Sequence, residues 1–347
     1  MTIVVVGAGL AGLSAVHEMR RAGATVLLVD AERRAGGVVV TEQPEPGWIV
    51  EAGPDGFLGS DQDIPTLARE LGIADRIVTQ QAHGSLVWDG AALQPLAAGA
   101  AASLLEIDVR DLDLSAGFRS FAEGMGELVS ALTTGVELTL AGITALHVSR
   151  NGARLSATGG MTLECSGVVL AIPSYAAAPL VAALDTTARR ALEAIPYHRS
   201  ANVSLAYRRD QVAHRLEASG FATLPATPGF VRACTFASSK FPGRAPTDHV
   251  LLRAFVGSSP GDPRAAAHAA LQPILGIEGA PLWTRAFEWP RGIPRYGPGH
   301  REEVAAVRRR LAAAAPVVLA GAGYDGAGIS ACVRSGRAAA RELLARL

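Results

Sequence analysis

Gly7-Ala8-Gly9-Leu10-Ala11-Gly12 carries the spacing Gly-x-Gly-x-x-Gly, which suits close approach of a phosphate to main chain. Gly7 permits a tight turn, Gly9 lets a pyrophosphate reach the backbone, and Gly12 lets a helix pack closely on a strand. A helix starting there offers free N–H groups and the positive end of its dipole to phosphate. Asp30, followed by Ala31, lies twenty-three positions beyond Gly7, where a carboxylate accepts hydrogen bonds from a ribose diol. Together these residues point to a bound dinucleotide. Three more tracts extend the pattern: Arg34-Ala35-Gly36-Gly37, Glu51-Ala52-Gly53-Pro54-Asp55-Gly56-Phe57, and Leu319 to Ile329 with its glycines. A flavin dinucleotide is long and needs backbone approach from several segments, so FAD is favoured over NAD.

The flanking elements fit this chemistry. Residues 2–6 are a β-branched apolar run that predicts a buried parallel strand. Residues 10–22 predict a helix with Leu13 and Val16 on its apolar face, Arg20 and Arg21 in the last turn, and Gly23 ending it. Residues 25–29 predict a second buried strand that ends at Asp30, which completes a β-α-β unit. Further on, 63–80 reads as a helix plus a turn, 118–133 as a helix, and 136–172 as short strands with turns at Asn151-Gly152 and Gly159-Gly160. Residues 176–194, 263–271, 301–315 and 330–346 read as helices. Residues 200–207, 248–256 and 316–320 read as strands. Proline and glycine clusters at 222–230, 257–263 and 290–299 read as loops.

Composition narrows the function classes. The 347 residues balance 32 basic against 32 acidic side chains, so there is no electrostatic case for binding nucleic acid. Lys240 is the only lysine, which excludes a phosphate loop of the Gly-Lys type. The three cysteines lie far apart, so no disulfide framework is expected and a reducing cytoplasm is the simplest setting. Residues 165–184 carry no charge, but Pro173 and Pro179 interrupt them, and no membrane span is expected. The eight histidines show no paired ligand spacing, so no metal is expected. Gly257-Ser258-Ser259-Pro260-Gly261 fits a hydrolase elbow, yet Pro260 lacks the N–H that an oxyanion hole needs there, so it reads as a loop with Asp262 capping a helix.

Longer tracts carry a more specific signal. The glycine segments, Ile195-Pro196-Tyr197, the run Cys234 to Pro246, His249 to Gly257, Trp289 to His300, and Gly328 to Gly336 together resemble the protoporphyrinogen oxidase branch of the FAD-dependent amine oxidase superfamily. The resemblance covers both ends and much of the middle. It implies that Gly7, Gly9, Leu10, Ala11, Gly12, Asp30, Ala31, Arg34, Gly36 and Gly37 hold the ADP half and pyrophosphate. It implies that Val136 or a neighbour gives its backbone to the adenine. Gly53, Pro54, Asp55 and Phe57 would lie near the isoalloxazine, with Phe57 also facing substrate. Gly321, Gly323, Gly328 and Ile329 would pass the ribityl chain and pyrimidine edge, with the last helix aimed at the flavin C2 carbonyl.

The chain departs from that pattern in three places. Val38 stands where Arg or Lys often follows Gly-Gly. The tract Gly84–Gly90 has no basic residue to meet a substrate carboxylate. Only residues 97–117 occupy the place of a large helical region that roofs the substrate cavity in relatives.

The expected fold is α/β: a discontinuous Rossmann-type FAD-binding domain (1–60, 118–175 and 300–347) and a smaller α+β substrate domain (61–117 and 176–299) whose helical lid is largely missing. The expected function is an FAD-dependent oxidase or dehydrogenase, with FAD held non-covalently. It would move hydride from a carbon next to nitrogen, or in a conjugated system, to flavin N5, with oxygen or another acceptor reoxidising the cofactor. The substrate would be a tetrapyrrole precursor or, with a slight preference, a smaller specialised metabolite. The alternative is a flavin-binding protein without net redox turnover, such as a partner subunit or a non-redox cyclase. A protein partner over the trimmed lid is also open. The chemistry needs no side-chain nucleophile. Lys240, as holder of a flavin-facing water, and Trp289, as a flavin wall and substrate contact, are the candidate side chains. Their ordinary readings are an exposed loop lysine and a core tryptophan. His198 and His300 read as satisfied structural histidines, and Arg308-Arg309-Arg310 as a solvated helix end.

Overall fold

The computed structural model describes residues 2–97, 99–104, 113–150, 152–257 and 261–347, without the side chains of 102 and 103. The hydrolase-like Ser258–Pro260, Asn151 of the expected Asn-Gly turn and much of the 97–117 segment lie outside the described residues.

Among the described residues, the first sheet has five parallel strands in the order Leu138–Leu140, Thr25–Asp30, Thr2–Val6, Gly167–Leu170, Val317–Leu319. These are the short apolar runs expected of a sheet buried on both faces. The first helix Leu10–Arg21, the last helix Ile329–Arg346 and the helices Asp63–Glu70 and Gly126–Thr133 cover one face. The helices Ser174–Val181, Thr186–Glu193 and His300–Ala314, with the strands Ile143–Ser149 and Gly152–Ala157, cover the other. This is the doubly wound arrangement that puts a ligand at the carboxyl ends of the strands.

Among the described residues, the second sheet has seven strands. From one edge they run Trp283–Pro294, Tyr197–Arg208, His249–Val256, Val231–Phe236, Gly220–Thr223, Ser85–Trp88 and Leu93–Leu96. The helix Pro263–Leu275 packs on one of its faces. Asp262 caps that helix, its carboxylate accepting from Arg264 N.

Several expectations need correction. Residues 118–133 open with a strand, Phe118–Phe121, which pairs with Phe57–Leu58 and Ile77–Thr79, and the helix starts only at Gly126. The segment 290–299 was expected as loop, yet the strand Trp283–Pro294 runs through Pro290 and Gly292. It is a sheet edge, where a missing N–H leaves no ladder bond unmade. Residues 176–194 form two helices rather than one, the second capped by Asp185 through Ala188 N. Three helices placed with the substrate domain pack on the parallel sheet instead. Ile64 and Leu67 join one of its faces, and Ala177, Val181 and Leu192 the other. An amphipathic stripe shows that a helix is covered, not by which sheet.

Candidate cofactor site

The glycine loop has the geometry its spacing requires. Gly7 has φ +105°, and a Cβ there would sit 2.5 Å from the Ala171 carbonyl oxygen. A Cβ on Gly12 would lie 1.8 Å from the Gly7 carbonyl oxygen, so only glycine lets this helix seat on its strand. Gly9, by contrast, has nothing within 4 Å of its Cβ position. It is the N-cap of the first helix and makes no side-chain cap bond. Gly328 repeats this at the other end of the chain: open space, and an uncapped start to the last helix. Two helix N-termini with free N–H groups thus open at this edge of the sheet.

The second glycine pair comes directly against the first. Gly36 N donates to Ala8 O at 2.8 Å, and Gly36 bridges Gly9 in parallel register. Arg34, expected on phosphate, donates instead to the carbonyls of Ala35 (2.9 Å), Gly37 (2.6 Å) and Val39 (3.3 Å), and so shapes the Gly36-Gly37 turn. Asp30 accepts from Ala8 N at 2.6 Å and Glu32 N at 2.9 Å, one bond on each oxygen. Each oxygen keeps a lone pair for a ribose hydroxyl. Ala31 lies beside Gly142, whose Cβ position is 3.8 Å from the Ala31 methyl.

Val136 is a correction. It precedes the strand Leu138–Leu140, whose register aligns Leu138 with Leu28 and Leu140 with Asp30. Val136 therefore sits toward the amino ends of the strands, away from the glycine loops, and its N–H is taken by Thr133 O at 2.9 Å. The backbone that reaches the level of Asp30 is Leu140 to Gly142.

At the C-terminal junction, Gly321 has φ +118° and its N–H donates to Ser335 Oγ at 2.7 Å. Asp325 accepts from Ser335 and from both Nη atoms of Arg308, at 2.9 and 2.6 Å. Arg308 also reaches Leu319 O at 3.1 Å. The triple arginine is therefore not a solvated end: it lies inside the helix His300–Ala314, Arg308 braces this turn, and Arg310 pairs with Asp185. Gly323 lies under Tyr197, 2.5 Å from its hydroxyl at the Cβ position. Gly336 meets Ala11 O at 2.0 Å by the same measure, so the first and last helices cross in backbone contact. Burial, with Asp325 beside it, pushes the Cys332 thiol up to about 12.

Between the two sheets runs Glu51–Asp55. A Cβ on Gly53 would strike Val38 O at 1.8 Å. Ala52 O accepts from Asn202 Nδ2 (2.8 Å) and Trp289 Nε1 (3.1 Å), and Gly53 O accepts from Arg253 Nη2. Ser120 donates to Asp55 O at 2.8 Å. Lys240 is buried and ion-paired with Asp55, which corrects the exposed-loop reading. Phe57 is also corrected: it is 3% exposed and packs against Phe121 in the core, with no face left for substrate. His198 is exposed, and the buried Nε2 of His300 has no hydrogen-bond partner among the described residues, so neither is a satisfied core histidine. Burial pushes the Glu51 carboxyl up to about 7, against the pull of Met125 N and the Thr41 hydroxyl. Asn202, Arg253, Arg244, Arg308 and Ser335 escaped sequence reasoning. The one available signal was a charge, Arg253, set in the apolar run His249–Val256.

Glycine cradles at the carboxyl ends of a doubly wound sheet, two uncapped helix starts and a second sheet facing them define a Rossmann-type flavoprotein. The chain belongs to the flavin containing amine oxidoreductase family, which matches residues 87–344, while residues 5–71 match the NAD(P)-binding Rossmann-like domain. It is an FAD-dependent oxidoreductase, as the family resemblance implied. It is similar to coproporphyrinogen III oxidase of Bacillus subtilis, at 24% identity over 99% of this chain and 98% of that one. It is also similar to the enzyme of the same name from Propionibacterium freudenreichii, at 33% over 65% of this chain and 45% of that one. The fold is shared with an Exiguobacterium protein provisionally assigned as a protoporphyrinogen oxidase, with TM-score 0.85, 21% identity and coverage of 100% and 99%. The Bacillus alignment runs over 464 residues against the 347 of this chain, so that relative carries segments absent here. Among the described residues no helix is long and apolar enough to cross a membrane.

Proposed function

We propose that this oxidoreductase removes hydride from a tetrapyrrole precursor of the porphyrinogen class, at a carbon of its reduced ring system, in the cytoplasm. FAD, when bound, supplies the two-electron acceptor. Gly7, Gly9, Leu10, Ala11, Gly12, Asp30, Ala31, Gly36 and Gly37 would hold its ADP half without a covalent bond. Gly53, Pro54 and Asp55, with Gly321, Gly323, Gly328 and Ile329, would seat its ring end. The uncapped N–H groups at Gly328 would stabilise negative charge on the cofactor. Trp289, fixed through Ala52 O, would wall the cavity and exclude water. A buried thiol held protonated at Cys332 is a poor partner for covalent attachment.

The observation that carries this reading is the pair of glycine-capped, uncapped-by-side-chain helix starts at Gly9 and Gly328. Similarity along nearly the whole length to coproporphyrinogen III oxidase supports the substrate class. A smaller specialised metabolite is the second reading, favoured by the segments this chain lacks. Oxygen or another acceptor would reoxidise the cofactor, and a protein partner would roof the cavity if 97–117 does not. The test is anaerobic mixing of the purified holoenzyme with coproporphyrinogen, protoporphyrinogen and a panel of small amines. Bleaching of the flavin band by a porphyrinogen is the expected result. Bleaching by a small amine alone would transfer the assignment to the second reading.

A further inference from the structure

Three cations, Lys240, Arg244 and Arg253, are buried in the seam between the sheets with the buried Glu51 and the half-buried Asp55. Lys240 Nζ lies 3.2 and 2.9 Å from the two Asp55 oxygens. It also stands over the Phe118 and Phe241 rings, at 4.6 and 5.1 Å from their centres. Its side chain keeps 10% exposure and that of Asp55 keeps 22%. Arg253 is 6% exposed, and its Nε has no partner among the described residues. Arg244, 2% exposed, donates to Ser120 Oγ, Phe121 O and Ala122 O.

Burying this much charge is costly, and apolar side chains would fill the same volume more cheaply. What apolar side chains could not do is hold main-chain carbonyls. The donors of this seam take Ala52 O, Gly53 O and Asp55 O in turn. They come from strands remote in sequence, Asn202 and Arg253 on the second sheet and Ser120 on Phe118–Phe121, so the segment is pinned from outside rather than by its own turn. Lys240 aims its ammonium at Asp55 and is enclosed by two rings, a geometry that leaves little of its charge for a substrate.

We propose that Lys240 and Arg253 are positioning residues: Lys240 through its ion pair with Asp55 and Arg253 through Gly53 O, they fix the Ala52–Asp55 backbone and through it the seat of the flavin ring, with no part in bond making. The proposal rests on the placement of the ring end beside Gly53 and Pro54 given above.

The test is a double-mutant cycle on FAD affinity, read by quenching of flavin fluorescence on adding FAD to cofactor-stripped protein. Lys240→Met leaves Asp55 unpaired and is expected to weaken FAD binding by about tenfold, since coupled neighbours share energies of that size. Lys240→Arg keeps the charge and is expected to restore most of the affinity. Lys240→Met with Asp55→Asn removes both charges and is expected to bind more tightly than Lys240→Met alone. If Lys240→Met does not fold, Lys240→Arg and the double variant carry the comparison. Unchanged FAD affinity in Lys240→Met with loss of flavin reduction by substrate would make Lys240 a catalytic residue and overturn the proposal. Losses in the double variant equal to the sum of those in Lys240→Met and in Asp55→Asn alone would overturn it too. A wild-type protein that takes up no FAD would instead overturn the cofactor reading beneath it.

Discussion

The glycine cradle and the seam at Ala52–Asp55 solve the same task in opposite ways. The cradle is local: Gly7 to Gly12 lies in one turn between adjacent elements, and its shape follows from missing side chains. The seam is long-range: Asp55 meets a lysine 185 positions away, and Gly53 an arginine 200 positions away. One region makes room for a ligand by removing atoms. The other sets a backbone by adding buried charge. The cradle should therefore fail abruptly when an atom is added. The seam should fail by degrees, according to which charge is left alone.

The largest effect is expected in the cradle. Gly12→Val puts a Cβ into the Gly7 carbonyl and should cost on the order of 5 kcal/mol, seen as loss of cooperative unfolding and of bound FAD. Next is Arg244→Met, which abandons three acceptors and removes the buried positive charge that faces Glu51, Asp55, Glu123 and Glu127. It should cost about 4 kcal/mol in denaturant unfolding. A loss below about 1 kcal/mol would mean that the seam is not held by its charges.

Glu51 sharpens the contrast through pH. Its carboxyl is raised from 4.5 to about 7 in the folded protein, so the folded state binds the extra proton. Stability from this group is complete below pH 4.5 and is lost as the pH rises through 7. Against Glu51→Gln, the wild type should lose on the order of 3 kcal/mol across that window. A constant difference between the two proteins would remove the buried, raised carboxyl. The smallest change in stability is expected for Gly9→Ala. Its Cβ enters open space at φ −71°, so the melting profile should stay within about 1 kcal/mol of wild type. FAD affinity should nevertheless fall, because the methyl stands where a pyrophosphate would approach. Unchanged affinity would separate Gly9 from the cofactor.

These differences also explain what could be read in advance. Residues 2–6, 10–22 and 25–29 announced a strand, a helix and a strand because each is a single periodic run. The strands Thr2–Val6 and Thr25–Asp30 and the helix Leu10–Arg21 match them closely. The Lys240–Asp55 pair had no local signature. A lysine in a polar loop and one buried between sheets look alike until the tertiary pairing is known. Val136 failed for a different reason: the approach to the strand was identified, but which end of that strand meets the cofactor depends on its register with Thr25–Asp30. Pro290 and Gly292 signalled a loop because they exclude a central strand, and the edge position of Trp283–Pro294 removes that objection.

The central claim is that the two uncapped glycine starts, one at each end of the chain, embrace a single FAD. It is tested most directly by the absorption spectrum of the purified wild-type protein, taken before and after heat release of its ligand. Flavin bands in the native protein, with free FAD released and none left on the polypeptide, are the predicted result. A colourless protein that also fails to take up added FAD would contradict it and return Gly7–Gly12 to a structural turn.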